Sequence, residues 1–413
     1  MKRTLLIIFA AIAILGSCKK DDPPAFTEFT VTSYKPLPVV KTRSMQIFAH
    51  YMPWFEDKTT SGSGKWGWHW TMTNQNPDIV DANGKRQIAS HYYPKIGPYA
   101  SSDAALIEYH LLLMKYSGIN GVLIDWYGST DVNDYGTNRR NTEALVALLE
   151  KVGLKFAIVY EDATIPVVMA KTGSTEAVSL ARTDMNYIQQ KYFAKSSYIK
   201  VGGKPLVMVF GPNYFQKTSE WESIIGAFTT KPCFMPLYGR NSTTGTVTSG
   251  EFIWVWGSNT DPSYIDTQYD LVTRFTDYLG GAWPGFNDFY KEGGAGNTLF
   301  KIDYNNGVTF QDLLNKAAAK NITNLQLITW NDFGEGTMIE PTNEFGYTYL
   351  EKLQSFTGLS YHKSDLEAIA QQYALRKSKG SDKSSAKVLD QAFYYWVSLQ
   401  NTKAIHLIDS IAK

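Results

Sequence analysis

Cysteine is almost missing from this chain. Of its 413 residues only Cys18 and Cys233 are cysteines, so no disulfide framework can staple the fold and a buried core must hold it. An excess of charge of one sign is missing as well. Forty Lys and Arg face 39 Asp and Glu, which leaves no electrostatic footprint for nucleic acid or an anionic surface. The longest apolar run, about a dozen residues after Lys2 and Arg3, is too short to cross a bilayer comfortably. There is no nucleophile elbow, no glycine-rich phosphate loop opening a helix, and no histidine pair at metal spacing; His50, His69 and His91 lie scattered. No metal or cofactor is expected.

The start of the chain has its own logic. "MKRTLLIIFAAIAILGSC" has a basic start, an apolar run and small residues, and it reads as a secretory signal over residues 1–17. "LGSC" resembles the lipobox of bacterial lipoproteins, which implies acylation of Cys18 and a lipid anchor in the outer membrane. The charged residues 19–22 resemble the surface-export signals of Bacteroidota lipoproteins. Residues 18–43, rich in Pro, Thr and Lys, read as a tether between lipid and domain. A monomer at the cell surface is expected.

From residue 45 eight short apolar runs alternate with longer segments. The runs are 45–51, 119–127, 154–162, 204–211, 231–239, 251–257, 281–288 and 324–332. Most are apolar throughout, as in strands covered on both faces. Helical periodicity marks 103–118, 141–153 and 309–320, and Gly118 and Gly153 stand where helix-ending glycines are usual. Strands alternating with helices predict an α/β fold, a (β/α)₈ TIM barrel over 44–355 with long loops at its C-terminal face. A helical extension, 356–413, is expected to pack on the barrel. Cys233, inside an apolar run, is expected in the core.

In such a barrel the active site lies at the strand C-termini. The runs end in His50, Tyr51 and Trp54; Asp125, Trp126 and Tyr127; Tyr160, Glu161 and Asp162; Asn213 and Tyr214; Tyr238 and Arg240; Trp256; Asn287 and Asp288; and Asn331, Asp332 and Glu335, with Glu340 close behind. Acids, amides and aromatic rings thus recur at one end of the barrel. Carboxylates stabilise an oxocarbenium-like transition state, a protonated acid serves the leaving oxygen, and aromatic rings stack on sugars. Glycoside hydrolysis is the chemistry this set suits. Asp332 and Glu335, three apart, are the expected catalytic pair, since neighbouring carboxyls resist double ionisation. "WGWHWTM" (66–72) offers His69 and Trp70 as cleft residues, and His91 and Tyr92 stand in a similar loop.

At this point a resemblance enters. "WNDFGEGTMIEP" (330–341) resembles the eighth-strand block of glycoside hydrolase family 99, the endo-α-mannosidases and endo-α-mannanases, and "WNDFGE" is similar to the block of family 71, the α-1,3-glucanases. "HYMPWF", "DWYG" and "PGFND" fit the same group. The resemblance implies a barrel, an endo-acting α-glycosidase and a polysaccharide or oligosaccharide substrate. It makes Glu335 the general acid. Family 99 has a second Glu three residues earlier, acting on the sugar's own 2-hydroxyl; here that position is Asp332, one methylene shorter. Asp332 is therefore read as a base toward water or toward the 2-hydroxyl, and both retention and inversion stay open. Asp125, Glu161 and Asp162 would hold the sugar at the cleavage point. The rival reading is a non-catalytic glycan-binding lipoprotein on the same scaffold.

Overall fold

A computed structural model describes residues 30–256 and 263–412. The expected signal peptide and the expected acylation site, Cys18, lie outside the described residues. Seven parallel staves form the barrel: Gln46–Tyr51, Gly121–Trp126, Lys155–Tyr160, Lys204–Val209, Cys233–Pro236, Gly280–Ala282 and Asn324–Leu327. The first pairs with both the second and the last, and the last pairs with Gly280–Ala282. The second pairs with the third, the third with the fourth and the fourth with the fifth.

The sixth stave, expected over 251–257, is reduced to a single residue. Phe252 bridges Leu237 on one side and Leu279 on the other, and so closes the circle. Its carbonyl accepts from the Tyr238 N–H at 2.9 Å, and the Ile253 N–H donates to Leu279 O at 3.2 Å. Just before it, Gly250 lies so close to the neighbouring backbone that an added Cβ would sit 1.7 Å from the Asp277 carbonyl oxygen. The chain squeezes through here as one contact and has no room for a longer ladder. The seventh run also splits: after Gly280–Ala282, a hairpin pairs Phe286–Asn287 with Lys301–Ile302.

The stave interiors are buried on both faces, as their unbroken apolar character requires. Cys233 is among these buried residues, and burial pushes its thiol up to about 12. Helix Ala104–Tyr116 starts on Asp103, whose side chain accepts from the Ala105 N–H at 2.8 Å. The next helix, Tyr135–Val152, begins six residues before the apolar periodicity does, because its first turns carry polar residues. It ends on Gly153 in the left-handed region, φ +82°, a conformation glycine adopts without a Cβ penalty.

Nearly every residue of helix Ala104–Tyr116 is buried, because it is covered twice. The barrel lies on one side and the C-terminal helices Lys363–Lys379, Lys383–Val397 and Asn401–Ala412 on the other. The latter two are separated at 398–400, where Leu399 takes a positive φ. Arg376 reaches Glu108 with Nη2 at 2.9 Å from Oε2 and Nε at 3.1 Å from Oε1. Gln372 donates to the same carboxylate, and the Trp396 indole donates to Gln372. Residues 30–43 form no regular element, yet they are tied down. The Thr32 N–H donates to Gln391, the Leu37 N–H to Val397 O, and Lys115 Nζ to Leu37 O. The lower part of the expected tether is thus docked on these helices.

Glu108 is buried, so its cation cannot be removed without consequence. Arg376→Met should lower unfolding stability by about 3 kcal/mol in urea denaturation, and Glu108→Gln in the same chain should restore most of the loss. A loss below about 1 kcal/mol would mark the pair as a solvated surface contact.

Candidate active site

At the C-terminal ends of the staves lies a cavity of about 230 Å³. Side chains on a strand alternate faces, so lining residues come at spacings of two. His50, Met52 and Trp54 follow the first stave; Asp125 and Tyr127 the second; Glu161 the third. Phe210 follows the fourth stave, Trp254 follows the bridge at Phe252, and Asp332, Gly334 and Glu335 follow the last. The long loop after the first stave adds Phe55, Trp68, His69 and Met72, and the loop joining the two strands of the seventh-run hairpin adds Tyr290. A wider lobe of about 570 Å³ adjoins the cavity and shares Trp68, His69, Tyr127 and Glu161 with it.

The loop carrying the expected catalytic pair is closed on itself. The Thr329 N–H donates to Thr337 O at 2.8 Å, and the Ile339 N–H to Thr329 O at 3.1 Å. The Thr329 hydroxyl accepts from the Asp332 N–H at 2.8 Å, and Asp332 Oδ1 accepts from the Glu335 N–H at 3.0 Å. The hairpin of the seventh run clasps the loop from outside: the Phe289 N–H donates to Gly334 O at 2.8 Å and the Asn287 N–H to Glu335 O at 2.9 Å. Tyr290 donates its hydroxyl proton to Glu335 Oε1 at 3.0 Å.

Four carboxyls therefore meet in one cavity: Asp125, Glu161, Asp332 and Glu335. Its two lining histidines do not neutralise them, because burial lowers His50 to about 4 and lowers His69 also. Burial raises all four acids. Asp332 rises only to about 6, since the Glu335 and Gly334 N–H groups stabilise its charge. Glu335 is held well above the usual carboxylate range by burial and then by the charge of Asp332; the Tyr290 hydrogen bond opposes this. Burial and the charge of Glu161 raise Asp125 strongly, while burial takes Glu161 to about 7. Asp125 and Glu161 are close enough for the charge of Glu161 to add to the rise of Asp125, while Asp125 Oδ2 is buried without a hydrogen-bond partner. The result is four raised carboxyls, Asp332 the least raised of the catalytic-loop pair, around a space lined by no Lys or Arg. An aromatic wall completes it, with Trp54 stacked on His69 at 4.1 Å and Trp254 edge-on to His50 at 4.7 Å.

Of the residues expected at the site, His50, Trp54, His69, Asp125, Tyr127, Glu161, Asp332 and Glu335 line the cavity. The others do not. Tyr51 is buried with its hydroxyl on His110. Trp70 packs on Phe55 and donates to Tyr99 O. Trp126 points away from the cavity and stacks on Tyr187, and the Tyr160 hydroxyl reaches Asp184. Asp162 faces the fourth-stave loop, where it accepts from the N–H groups of Asn213, Tyr214 and Phe215. Tyr238 bonds Tyr264. Trp256 is 60% exposed and outside the cavity, whereas Trp254, two residues earlier, lines it. Asn331 and Glu340 are buried beneath it. His91 packs on Phe289 and Tyr92 on Tyr304. Alternation along the runs points to Met52, Phe210 and Trp254; nothing local in the sequence marks Tyr290. Among the described residues, no group of three His, Cys, Asp or Glu could hold a metal ion, and no helix is long and apolar enough to cross a membrane.

A closed parallel barrel with paired carboxyls at its stave ends defines a glycoside hydrolase, and comparison with known proteins makes the class specific. Residues 42–276 match the model of glycosyl hydrolase family 99, and the chain belongs to that family. The matched span covers the first five staves and the bridge and ends before Asp332 and Glu335. A zebrafish (Danio rerio) glycoprotein endo-alpha-1,2-mannosidase-like protein is 27% identical over 96 residues, an alignment spanning 22% of each chain. The structure of the GH99 endo-alpha-mannosidase from Bacteroides thetaiotaomicron superposes with a TM-score of 0.57 at 17% identity, covering 79% of this chain and 99% of that one. Its complex with bis-tris-propane gives 0.58 at 19% identity, covering 79% and 98%. These two likenesses establish the fold.

The raised acids carry a pH signature in stability. An acid whose folded pKa is raised adds stability that is fully present below its unfolded value and lost as pH rises through the folded one. For Glu161 that window runs from 4.5 to about 7. Glu161→Gln should therefore unfold like wild type at pH 4 and be more stable by about 3 kcal/mol at pH 8, as thermal denaturation at the two pH values would read. Equal stability at pH 8 would mean that this carboxyl is solvated.

Proposed function

We propose that this chain is an endo-acting glycoside hydrolase that cleaves an α-linked polysaccharide of the α-mannan or α-1,3-glucan type. The observation that carries the reading is the unequal carboxyl pair in one cation-free cavity. Asp332, at about 6, is ionised at neutral pH, while burial and the Asp332 charge hold Glu335 well above the usual carboxylate range and favour its protonated form. In the proposed step Glu335 protonates the glycosidic oxygen as the bond breaks, and Asp332 removes a proton from water or from the 2-hydroxyl. Asp125, whose Oδ2 is buried without a partner, and Glu161 offer carboxyl groups to the hydroxyls of the sugar at the cleavage point. Charge that develops on that sugar is positive, which relieves the repulsion among the acids. The mannosidase names of the relatives favour an α-mannan. The wider lobe beside the cavity, with the Trp68 ring 46% exposed at their junction, supports attack within a chain.

Incubation with α-mannan and α-1,3-glucan should release oligosaccharides from one of them. Glu335→Gln and Asp332→Asn should each lower kcat by about 10³-fold. The kcat/KM of the wild type should fall as pH drops through about 6, where Asp332 takes up its proton. Retention on a polysaccharide gel without release would make the protein a binder, and full activity in Glu335→Gln would remove that residue from the acid role.

The N-terminal reading becomes a proposal of its own: Cys18 is acylated and anchors the enzyme to the outer surface of the cell. In Triton X-114 partitioning the full chain should enter the detergent phase and Cys18→Ala should not; equal partitioning of the two would refute the anchor.

A further inference from the structure

Beneath the cavity lies a chain of buried polar groups that the proposed chemistry leaves unused. Tyr99 donates its hydroxyl proton to Glu340 Oε2 at 2.7 Å. The Tyr99 oxygen in turn accepts from Asn331 Nδ2 at 3.2 Å. Asn331 also donates to Met52 O at 3.0 Å and accepts from the Met52 N–H at 2.9 Å. On the far side, Glu340 Oε1 lies 3.3 Å from His110 Nε2, within ion-pair range though without hydrogen-bond alignment. His110 Nδ1 meets the Tyr51 hydroxyl at 3.1 Å. All of these side chains are buried.

The position of this chain in the fold gives it a consequence. Asn331 directly precedes Asp332, and its amide grips both backbone groups of Met52, a cavity residue on the other side of the first stave's rim. One side chain thus ties the loop that carries Asp332 and Glu335 to the loop that carries Met52 and Trp54. An amide can make this double bond to a backbone in one orientation only, with oxygen toward the N–H and nitrogen toward the carbonyl. The bond to Tyr99 uses the second amide proton, and Tyr99 can accept it only while its own proton points to Glu340. A carboxylate is expensive to bury, and a well-packed apolar side chain would serve the core as well or better. What an apolar replacement would lose is the fixed direction of the Tyr99 proton.

We propose that Glu340 and Tyr99 are positioning residues: acting through Asn331, they fix Asp332 relative to the first-stave rim. Glu340 was expected to touch the sugar; the structure instead gives it a place one layer below, acting on the substrate through three intervening groups. His110, on helix Ala104–Tyr116, anchors the far end. The proposal rests on the reading of Asp332 as the base.

The test uses the full chain and Tyr99→Phe, which keeps the ring and deletes only the hydroxyl. On whichever of α-mannan and α-1,3-glucan the wild type cleaves, kcat should fall about tenfold with KM unchanged within about twofold, as expected for a misplaced catalytic group. Glu340→Gln keeps an oxygen that can accept from Tyr99 and should lose less than Glu340→Ala. The double variant Tyr99→Phe, Glu340→Gln should be no slower than Tyr99→Phe alone, because both act along one path. In crystals of Tyr99→Phe, the Asp332 carboxylate or the Met52 backbone should shift or split into two conformers. Wild-type kcat in Tyr99→Phe, or single losses that multiply in the double variant, would overturn the proposal. So would superimposable positions of Asp332 and Met52, and this last result can be read without any activity. A wild type that cleaves neither polymer would count against the catalytic reading, while the crystals would still decide the positioning role.

Discussion

Four carboxyls enclosed in one small space with no cation beside them are the constraint on which this structure turns. Each prefers water, and each ionisation makes the next harder. Left flexible, the groups would swing out to solvent or recruit a lysine. They stay because each is rooted at the end of a different buried stave or in a loop closed by its own backbone. The second and third staves pair along six residues, which fixes Asp125 and Glu161 side by side at one rim. The closed loop 329–337 does the same for Asp332 and Glu335. The frustration is the functional property. A site that is costly to charge negatively is one where positive charge developing on a sugar is favoured.

The barrel supplies rigidity through parts with no chemistry of their own. Phe252, a single bridging residue, is enough to close the circle because its neighbours on both sides are held by longer ladders. Helix Ala104–Tyr116 supports the site from behind: His110 reaches toward the cavity side, and Glu108 is gripped by the C-terminal helices through Arg376. Those helices also receive residues 30–43, so the chain entering the domain is anchored on the same structure that backs the catalytic loop.

Much of this could be read from sequence, and the failures have one physical form. Apolar runs revealed the staves because strands covered on both faces cannot hide polar residues. The acids at the run ends revealed the site for the same reason. What the runs could not reveal was facing. Of each pair of neighbours at a stave end, one points into the cavity and the other outward, and a shift of one residue exchanges them. Asp125 and Tyr127 line the site while Trp126, between them, stacks on Tyr187. Glu161 lines it while Tyr160 and Asp162 on either side serve Asp184 and the fourth-stave loop. Trp256 fails differently: it shares the phase of Trp254 but lies beyond the rim, 60% exposed. The spacing of two was visible all along, but its phase is set by the closed sheet. Tyr290 was invisible for a different reason: it sits in the irregular loop between the two strands of a hairpin, where no period predicts which side chain turns inward. The buried grip of Glu340, Tyr99 and Asn331 joins residues more than 200 positions apart in the chain and could emerge only from the folded form.

The single departure from the family's paired glutamates also has a structural account. An aspartate at 332 is short enough for its Oδ1 to accept the N–H of Glu335, three residues on, the local side-chain-to-backbone bond that Asp favours and a longer Glu makes less readily. That bond stabilises the charged form. Burial alone would lift both acids toward the same high range, and a pair raised equally would have no assigned base. The backbone N–H groups of residues 334 and 335 hold Asp332 near 6, and its charge then helps keep Glu335 protonated. The shorter side chain thus separates the two acids in how readily each gives up its proton, the difference that the proposed base and acid roles require. The hairpin bonds from Asn287 and Phe289 keep the loop from relaxing that difference.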